Sequence, residues 1–404
     1  MPNRPALLLT CLLCLSMGFL PMGRVAQANS GPNVVFLSPD DSRFWYMVSD
    51  FMTEVAKDLG MNLEVVFDHD SHRYSYLKIA EHVLGRENKP DYLVFMFREQ
   101  VANRMLTYAN EMGVKVFTFN TDIPAATKAS VGGPRETLSN WIGHLVPDNL
   151  AAGRALVSIL TEQALHMGLI EPEQVLPIVG LSGTLDSSAA KDRQQGLEDM
   201  ARSKQSELFQ FVDAQWSRQQ AKTKTQVLLQ RFPQAAAIWS ASDGMALGAI
   251  DAVKMMGIRP GVDVVIGGID WEPQALEAIR AGELAVSLGR HFMGGGLALL
   301  LLHDYHHGFD FSDETSPPML SYQLKPVTID NVDKVEKIMD PEHWRNADFR
   351  SFSRTLGSGK SKHKQSAEEL MDGFTSALVG AYSRSVSRLP DGASVGSSSD
   401  SGNK

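Results

Sequence analysis

AIWSASDGMALGAIDAV, Ala237 to Val253, is the stretch whose reading decides the fold. Three apolar residues, Ala237, Ile238 and Trp239, run into Ser240 and Ser242, then Asp243, then apolar residues at helical spacing, Met245, Leu247, Ile250 and Val253. A short apolar run feeding a helix through a small polar turn is the pattern of a buried parallel strand. In open α/β sheets a ligand is met beyond the carboxyl ends of the strands, which makes Ser240, Ser242 and Asp243 candidate site residues. Asp243 suits the first turn of a helix equally well, where a carboxylate complements the dipole and caps free N–H groups.

The same alternation runs both ways from there. Upstream come VVFLSP from Val34, an amphipathic stretch Phe44 to Leu59 closed by Gly60, LEVVF from Leu63, YLVFMF from Tyr92 and KVFTFN ending at Asn120. Each apolar run ends in polar residues: Ser38-Pro39-Asp40, Asp68, Arg98, and Asn120-Thr121-Asp122. A second set begins with the helix opened at Asp148-Asn149 and continues through VLPIVGLSG, LFQFVDAQW, VVIGGID ending at Asp270, and LAVSL from Leu284. Strand and helix alternating with few hairpin signals predict an α/β fold of two similar doubly wound parallel-sheet lobes joined by a hinge. The expected division is an N-terminal lobe of 33–146 plus 291–316 and a C-terminal lobe of 147–290 plus 317–331, with one last strand near Met319 to Leu324.

Beyond Asn331 the character changes. Trp344, Phe349 and Phe352 predict a segment lying over the body, within an extension of 332–390. Leu370, Phe374, Leu378 and Tyr382 fall four apart, one apolar helix face that docks either on this chain or on a partner. A basic linker spans 357–364, and the Ser/Gly/Asp-rich residues 391–404 read as a disordered tail.

Length and charge narrow the function classes. With 404 residues and 43% hydrophobic content the chain is long enough for two lobes. A net charge of −9 without clustered Lys or Arg argues against a nucleic-acid surface. Arg4, the apolar run Ala6 to Leu20 and Ala26-Gln27-Ala28 form the pattern of a secretory signal peptide of residues 1–28, placing the protein in the periplasm. Both cysteines, Cys11 and Cys14, fall within it, so the exported chain needs no disulfide.

The order of these pieces resembles the type I periplasmic solute-binding proteins of the ribose-binding kind. SSAAKDRQQGL (Ser187 to Leu197), SDGMALGAIDAV and GGID (Gly267 to Asp270) carry the resemblance, which covers roughly Asn33 to Asn331. It implies a ligand held between two closing lobes. By position, Phe44 and Trp45 resemble the family's paired aromatics and Trp216 the ring facing them, aromatic faces that cover the C–H patches of a sugar. Arg193 resembles the ligand-binding arginine, a planar fork for adjacent hydroxyls, and Asp270 the carboxylate that accepts from hydroxyl pairs. Ser42, Asn120, Thr121, Ser242, Asp243 and Arg290 complete the expected set, several of them departing from the ribose-binding pattern. Those departures are similar to the periplasmic receptors for autoinducer-2, where an Asn, two Arg and a Thr/Ser-Asp pair surround a furanosyl signal. Asn120, Arg193, Arg290 and Ser242-Asp243 match that set, with Trp45.

What the resemblance implies is a monomeric binding protein, with a membrane ABC permease or a sensor kinase or chemoreceptor as partner. Alternatives find less in the residues. His303, His306 and His307 read as a solvated helix end rather than a metal site, and the triplet from Gly294 has no phosphate-loop spacing. No nucleophile, base and acid stand in an enzyme arrangement, and no cofactor motif is present. A transcription factor on the same fold needs a DNA-reading helix pair where the export signal stands.

Overall fold

Residues 31–204, 206–313, 317–358 and 363–386 are described in the structure, a computed structural model. The predicted signal peptide, the tail predicted to be disordered and the middle of the linker lie outside them. The N-terminal lobe runs β1 (Asn33–Ser38), α1 (Arg43–Leu59), β2 (Asn62–Phe67), α2 (Arg73–Leu84), β3 (Tyr92–Phe95), α3 (Ala102–Glu111), β4 (Lys115–Phe119), α4 (Ala125–Val131) and β5 (Trp141–Pro147). The C-terminal lobe repeats the alternation with α5 (Asn149–His166), β6 (Leu176–Ser182), α6 (Ser188–Arg202), β7 (Ser206–Asp213), α7 (Arg218–Arg231), β8 (Ala237–Ser240), α8 (Asp243–Met255), β9 (Val265–Ile269), α9 (Pro273–Arg280) and β10 (Val286–Gly289). The chain then re-enters the first lobe as α10 (Gly294–His306).

The organising stretch is β8 and α8, every strand residue buried between helices, as its unbroken apolar run predicted. The sheets are ordered β11-β5-β4-β3-β1-β2 and β12-β10-β9-β8-β6-β7, the same winding twice. In both, the first strand of the lobe lies between the second and third. Loops leaving it and its neighbour therefore diverge and open a crevice at the carboxyl ends.

Two departures from the expected layout concern strands. β5 escapes the sequence reading because Gly143, His144 and Pro147 interrupt its apolar run, yet it pairs parallel with β4. The single last strand expected in the C-terminal lobe is two. β11 (Met319–Tyr322) pairs parallel with β5 in the first sheet, and β12 (Lys325–Val327) pairs antiparallel with β10 in the second. Residues 319–322 are thus corrected to the N-terminal lobe, because Gln323 and Leu324 form a third crossing between lobes. The other crossings are at Asp148, between β5 and α5, and at Arg290-His291, between β10 and α10.

The extension is α11 (Val332–Met339), α12 (Pro341–Asn346) and α13 (Ala367–Val386). Its apolar face docks on its own chain. Phe374 meets Phe51 of α1 at a ring distance of 6.2 Å and Phe349 at 5.0 Å, while Trp344 lies 5.4 Å from Phe51. Leu370, Phe374 and Leu378 are buried, and Tyr382 lies at the rim of the same face, half-buried beside Lys337 and His343. The glycine triplet permits a close helix crossing: a Cβ on Gly296 would stand 2.6 Å from the Phe51 ring. His303 is buried rather than solvated, because Asp304 beside it holds the extension through Ser353 Oγ at 2.6 Å and the Arg354 N–H at 2.8 Å.

Candidate functional site

The carboxyl ends of the two sheets face each other across a cleft of about 670 Å³. Ser42, Phe44, Trp45, Asn120, Thr121, Arg193, Trp216, Ser242 and Asp270 line it, brought together from loops far apart in the chain. Asp243 and Arg290 do not line it.

On the N-terminal side, Ser42 precedes α1, and its N–H donates to Asp40 Oδ1 at 2.9 Å, fixing the turn that presents Phe44 and Trp45. The two rings stand edge to face at 5.2 Å, and Trp45 is backed by Phe36 and Phe119. Asn120 is held at φ 71 by the end of β4 and leaves its Oδ1 without a partner among the described residues. The Thr121 hydroxyl is spent on the framework, accepting from the Phe97 N–H at 2.9 Å and donating to the Phe97 carbonyl at 3.2 Å. What Thr121 offers a ligand is therefore its methyl group.

The C-terminal side carries the charge. Arg193, 3% exposed, donates from Nε to Asn149 Oδ1 at 2.8 Å and from Nη1 to the Ala241 carbonyl at 2.7 Å. Its Nη1 lies 3.6 Å from Asp270 Oδ1. Trp216 stacks over this guanidinium at 5.9 Å and donates its indole N–H to Thr184 Oγ1 at 3.2 Å. The indole lies directly on Gly183, where a Cβ would sit 2.0 Å from it, so only glycine fits there. Gln215 at φ 55, Trp216 at φ 59, Asp270 at φ 141 and Trp271 at φ 62 concentrate left-handed backbone at the site. The Ser242 hydroxyl caps α8 by accepting from the Met245 N–H at 3.3 Å.

Asp243 lies beneath the lining. Its Oδ2 accepts from Ser287 Oγ at 2.7 Å and the Glu272 N–H at 2.9 Å, joining α8, β10 and the turn before α9. Burial, with Asp270 and Glu272 nearby, pushes its carboxyl well above the usual range. This corrects the expected ligand role: the first-turn position buries the side chain behind β9. Arg290 is the second correction. At φ 80 its side chain turns away from the cleft, and Nη1 and Nη2 pair with Asp372 and Glu368 of α13.

The residue after it, His291, takes the place in the cleft that the sequence reading assigned to Arg290. Its ring lies 4.8 Å from Phe44, and its Nε2 lies 3.1 Å from Asp270 Oδ1. Burial lowers its pKa, with the Asp270 carboxylate opposing the shift, and Nδ1 is unpartnered among the described residues. Glu272, also missed, lines the cleft with its carboxyl pushed up to about 7 by burial and by Asp270. Arg98 lines the opposite side, as its place at a strand end foretold, but its guanidinium holds the Pro39 and Ser71 carbonyls at 2.9 and 3.0 Å. The site thus offers aromatic faces, one buried guanidinium, the carboxyls of Asp270 and Glu272 beside it and several uncommitted polar atoms. Among the described residues no cluster of His, Cys, Asp or Glu could hold a metal ion.

Comparisons with known proteins agree with this geometry. The model of the family described as periplasmic binding protein domain matches residues 34–301. The ribose import binding protein of Salmonella typhimurium is 24% identical over 254 residues, 63% of this chain and 77% of that protein. The D-allose-binding periplasmic protein of Escherichia coli is 24% identical over 258 residues, 64% and 78% of the two chains. A crystal structure of a periplasmic sugar-binding protein from Pseudomonas fluorescens superposes with a TM-score of 0.73 at 29% identity, covering 84% of this chain and 98% of that one.

Proposed function

The chain belongs to the periplasmic binding protein domain family, and on that premise we propose that it captures a small polyhydroxylated ligand, a monosaccharide, and presents it to a membrane ABC importer from the periplasm. It is a binding protein rather than an enzyme. The observation that carries the sugar reading is the pairing of Phe44, Trp45 and Trp216 with Arg193 and Asp270 around one cleft. Rings cover the apolar faces of a pyranose or furanose, while the fork and the carboxylate take hydroxyls at its edge.

Closing the lobes removes water, so each buried hydroxyl must find a partner and an analogue with a misplaced one is rejected. Contacts that closure needs are already made on one side: Ser188 Oγ donates to the Asp122 carbonyl at 3.1 Å, and Lys191 pairs with Glu99. The changed outer surface of the closed form is what a membrane partner would read. The furanosyl-signal reading rests on two arginines around the ligand. With Arg290 committed to α13, Arg193 alone of that pair lines the cleft, and the sugar reading needs no second one.

A thermal-shift screen against monosaccharides, polyols and autoinducer-2, with and without borate, tests the proposal. At least one monosaccharide is expected to raise Tm by about 5 °C. A response to autoinducer-2 alone would replace the sugar reading with the signal reading, and a blank screen would overturn both.

A further inference from the structure

Two adjacent residues at the second lobe crossing face opposite ways. Arg290, 1% exposed, donates from Nε to the Gln323 carbonyl at 2.7 Å, from Nη1 to Asp372 at 2.6 Å and from Nη2 to Glu368 at 2.5 Å. His291 turns into the cleft, between Phe44 and Asp270. Glu368 and Asp372 lie one turn apart at the start of α13. Glu368 also accepts from the Gln323 N–H at 2.8 Å and pairs with Lys325 at 2.9 Å. Gln323 in turn donates to Asp148 Oδ2 at 3.0 Å. Two of the three crossings therefore meet the first turns of α13 directly and the third, at Asp148, is joined to them through Gln323, while the rest of that helix is fixed to α1 through Phe374 and Phe51.

We propose that α13 is coupled to the ligand cleft through Arg290-His291, with Arg290 a positioning residue that sets His291 against Asp270. Docking of α13 and capture of ligand then favour each other. The proposal rests on the reading of the cleft as the binding site. A planar guanidinium shared between two carboxylates and a carbonyl has one good placement, and the left-handed backbone at Arg290 passes that placement to the next residue. Hinge motion must turn the same crossing segments, so the ion pairs act on the lobes' relative position as well as on α13. Linkage makes the effect reciprocal: what the cleft gains from a docked α13, α13 gains from an occupied cleft.

Hydrogen exchange followed by mass spectrometry on the full chain, wild type and Glu368→Gln/Asp372→Asn, tests this. Both changes keep side-chain shape; if the double variant fails to fold, Asp372→Asn alone serves, since that side chain is 59% exposed. Without sugar, the variant is expected to exchange about tenfold faster at Asp270-Trp271 and at His291–Met293, within the range for linked sites. Unchanged exchange there overturns the coupling, and so does a rise spread evenly over the N-terminal lobe, which is what a merely structural role would give. D-Ribose, D-allose and L-arabinose are then added in turn. A sugar that slows the cleft segments of the wild type is expected to slow α13 too and to bind the variant about tenfold more weakly. Slowed cleft segments with unaltered α13 and unaltered affinity overturn the coupling and leave the sugar reading standing. If none of the three slows the cleft segments, it is the sugar reading that loses ground, and the sugar-free comparison alone decides the coupling.

Discussion

Asp270 stands between a guanidinium and an imidazole, at a backbone angle that costs energy outside glycine. A carboxylate accepting from hydroxyls and from its own neighbours contributes through charge, so Asp270→Asn is expected to weaken sugar binding about ten- to hundredfold, read by calorimetric titration. The apo melting temperature should fall as well, because the neutral amide leaves the buried Arg193 guanidinium without its counter-charge. An unchanged affinity would remove Asp270 from the site. Trp216→Ala is expected to weaken binding as well, and ligand addition to the wild type should change tryptophan emission, which a cleft lined by Trp45 and Trp216 requires. At this scale the sequence was legible up to the direction of each side chain. Nine of the expected positions, most of them carried by the family resemblance, line the cleft, whereas Asp243 and Arg290 do not. Spacing identifies a strand end, but where φ turns positive the rule of alternating faces fails. Arg290 was expected in the cleft from its place in the family resemblance, and the positive φ there turns its side chain away and brings His291 in.

Among the elements, α13 shows what periodicity can decide and what it cannot. The spacing of Leu370, Phe374, Leu378 and Tyr382 established an apolar face, while its partner emerged only from the packing, since nothing local in that helix encodes Phe51. Phe374 is fully buried, and Phe374→Ala is expected to cost about 3–5 kcal/mol in chemical denaturation, with the extension losing protection first. A loss below about 1 kcal/mol would show that α13 does not share the core. Strands buried on both faces were read from unbroken apolar runs, as with β8. β5 was lost to its Gly, His and Pro, and the last strand expected near 319–324 ran β11 on through the lobe crossing and stopped short of β12.

At the scale of the molecule, two sheets of one winding face each other, and the charges between them set how closure responds to acid. Asp192 is pushed up to about 6, first by burial and then by Asp122 across the cleft, with Asp148 adding to the rise and Arg193 and Lys191 opposing it. Separating the lobes takes Asp122 away and is expected to return the carboxyl toward its ordinary value of 3.8. The closed form therefore holds the proton more tightly, and closure is favoured as pH falls through about 6 and disfavoured as it rises. Affinity for a neutral sugar is expected to rise about fourfold between about pH 7.5 and about pH 5.5 from this group. Asp192→Asn should remove that share and leave what Glu272 contributes from about 7. A profile unaltered by the substitution would show that Asp192 keeps its charge in both forms. The contact of Phe51 with Phe374 reaches further still, because the two rings stand more than three hundred residues apart in the chain. A polypeptide emerging from its amino end cannot complete the first lobe until α13 has arrived. The early half must wait with an apolar face uncovered, and folding of that lobe will be slow.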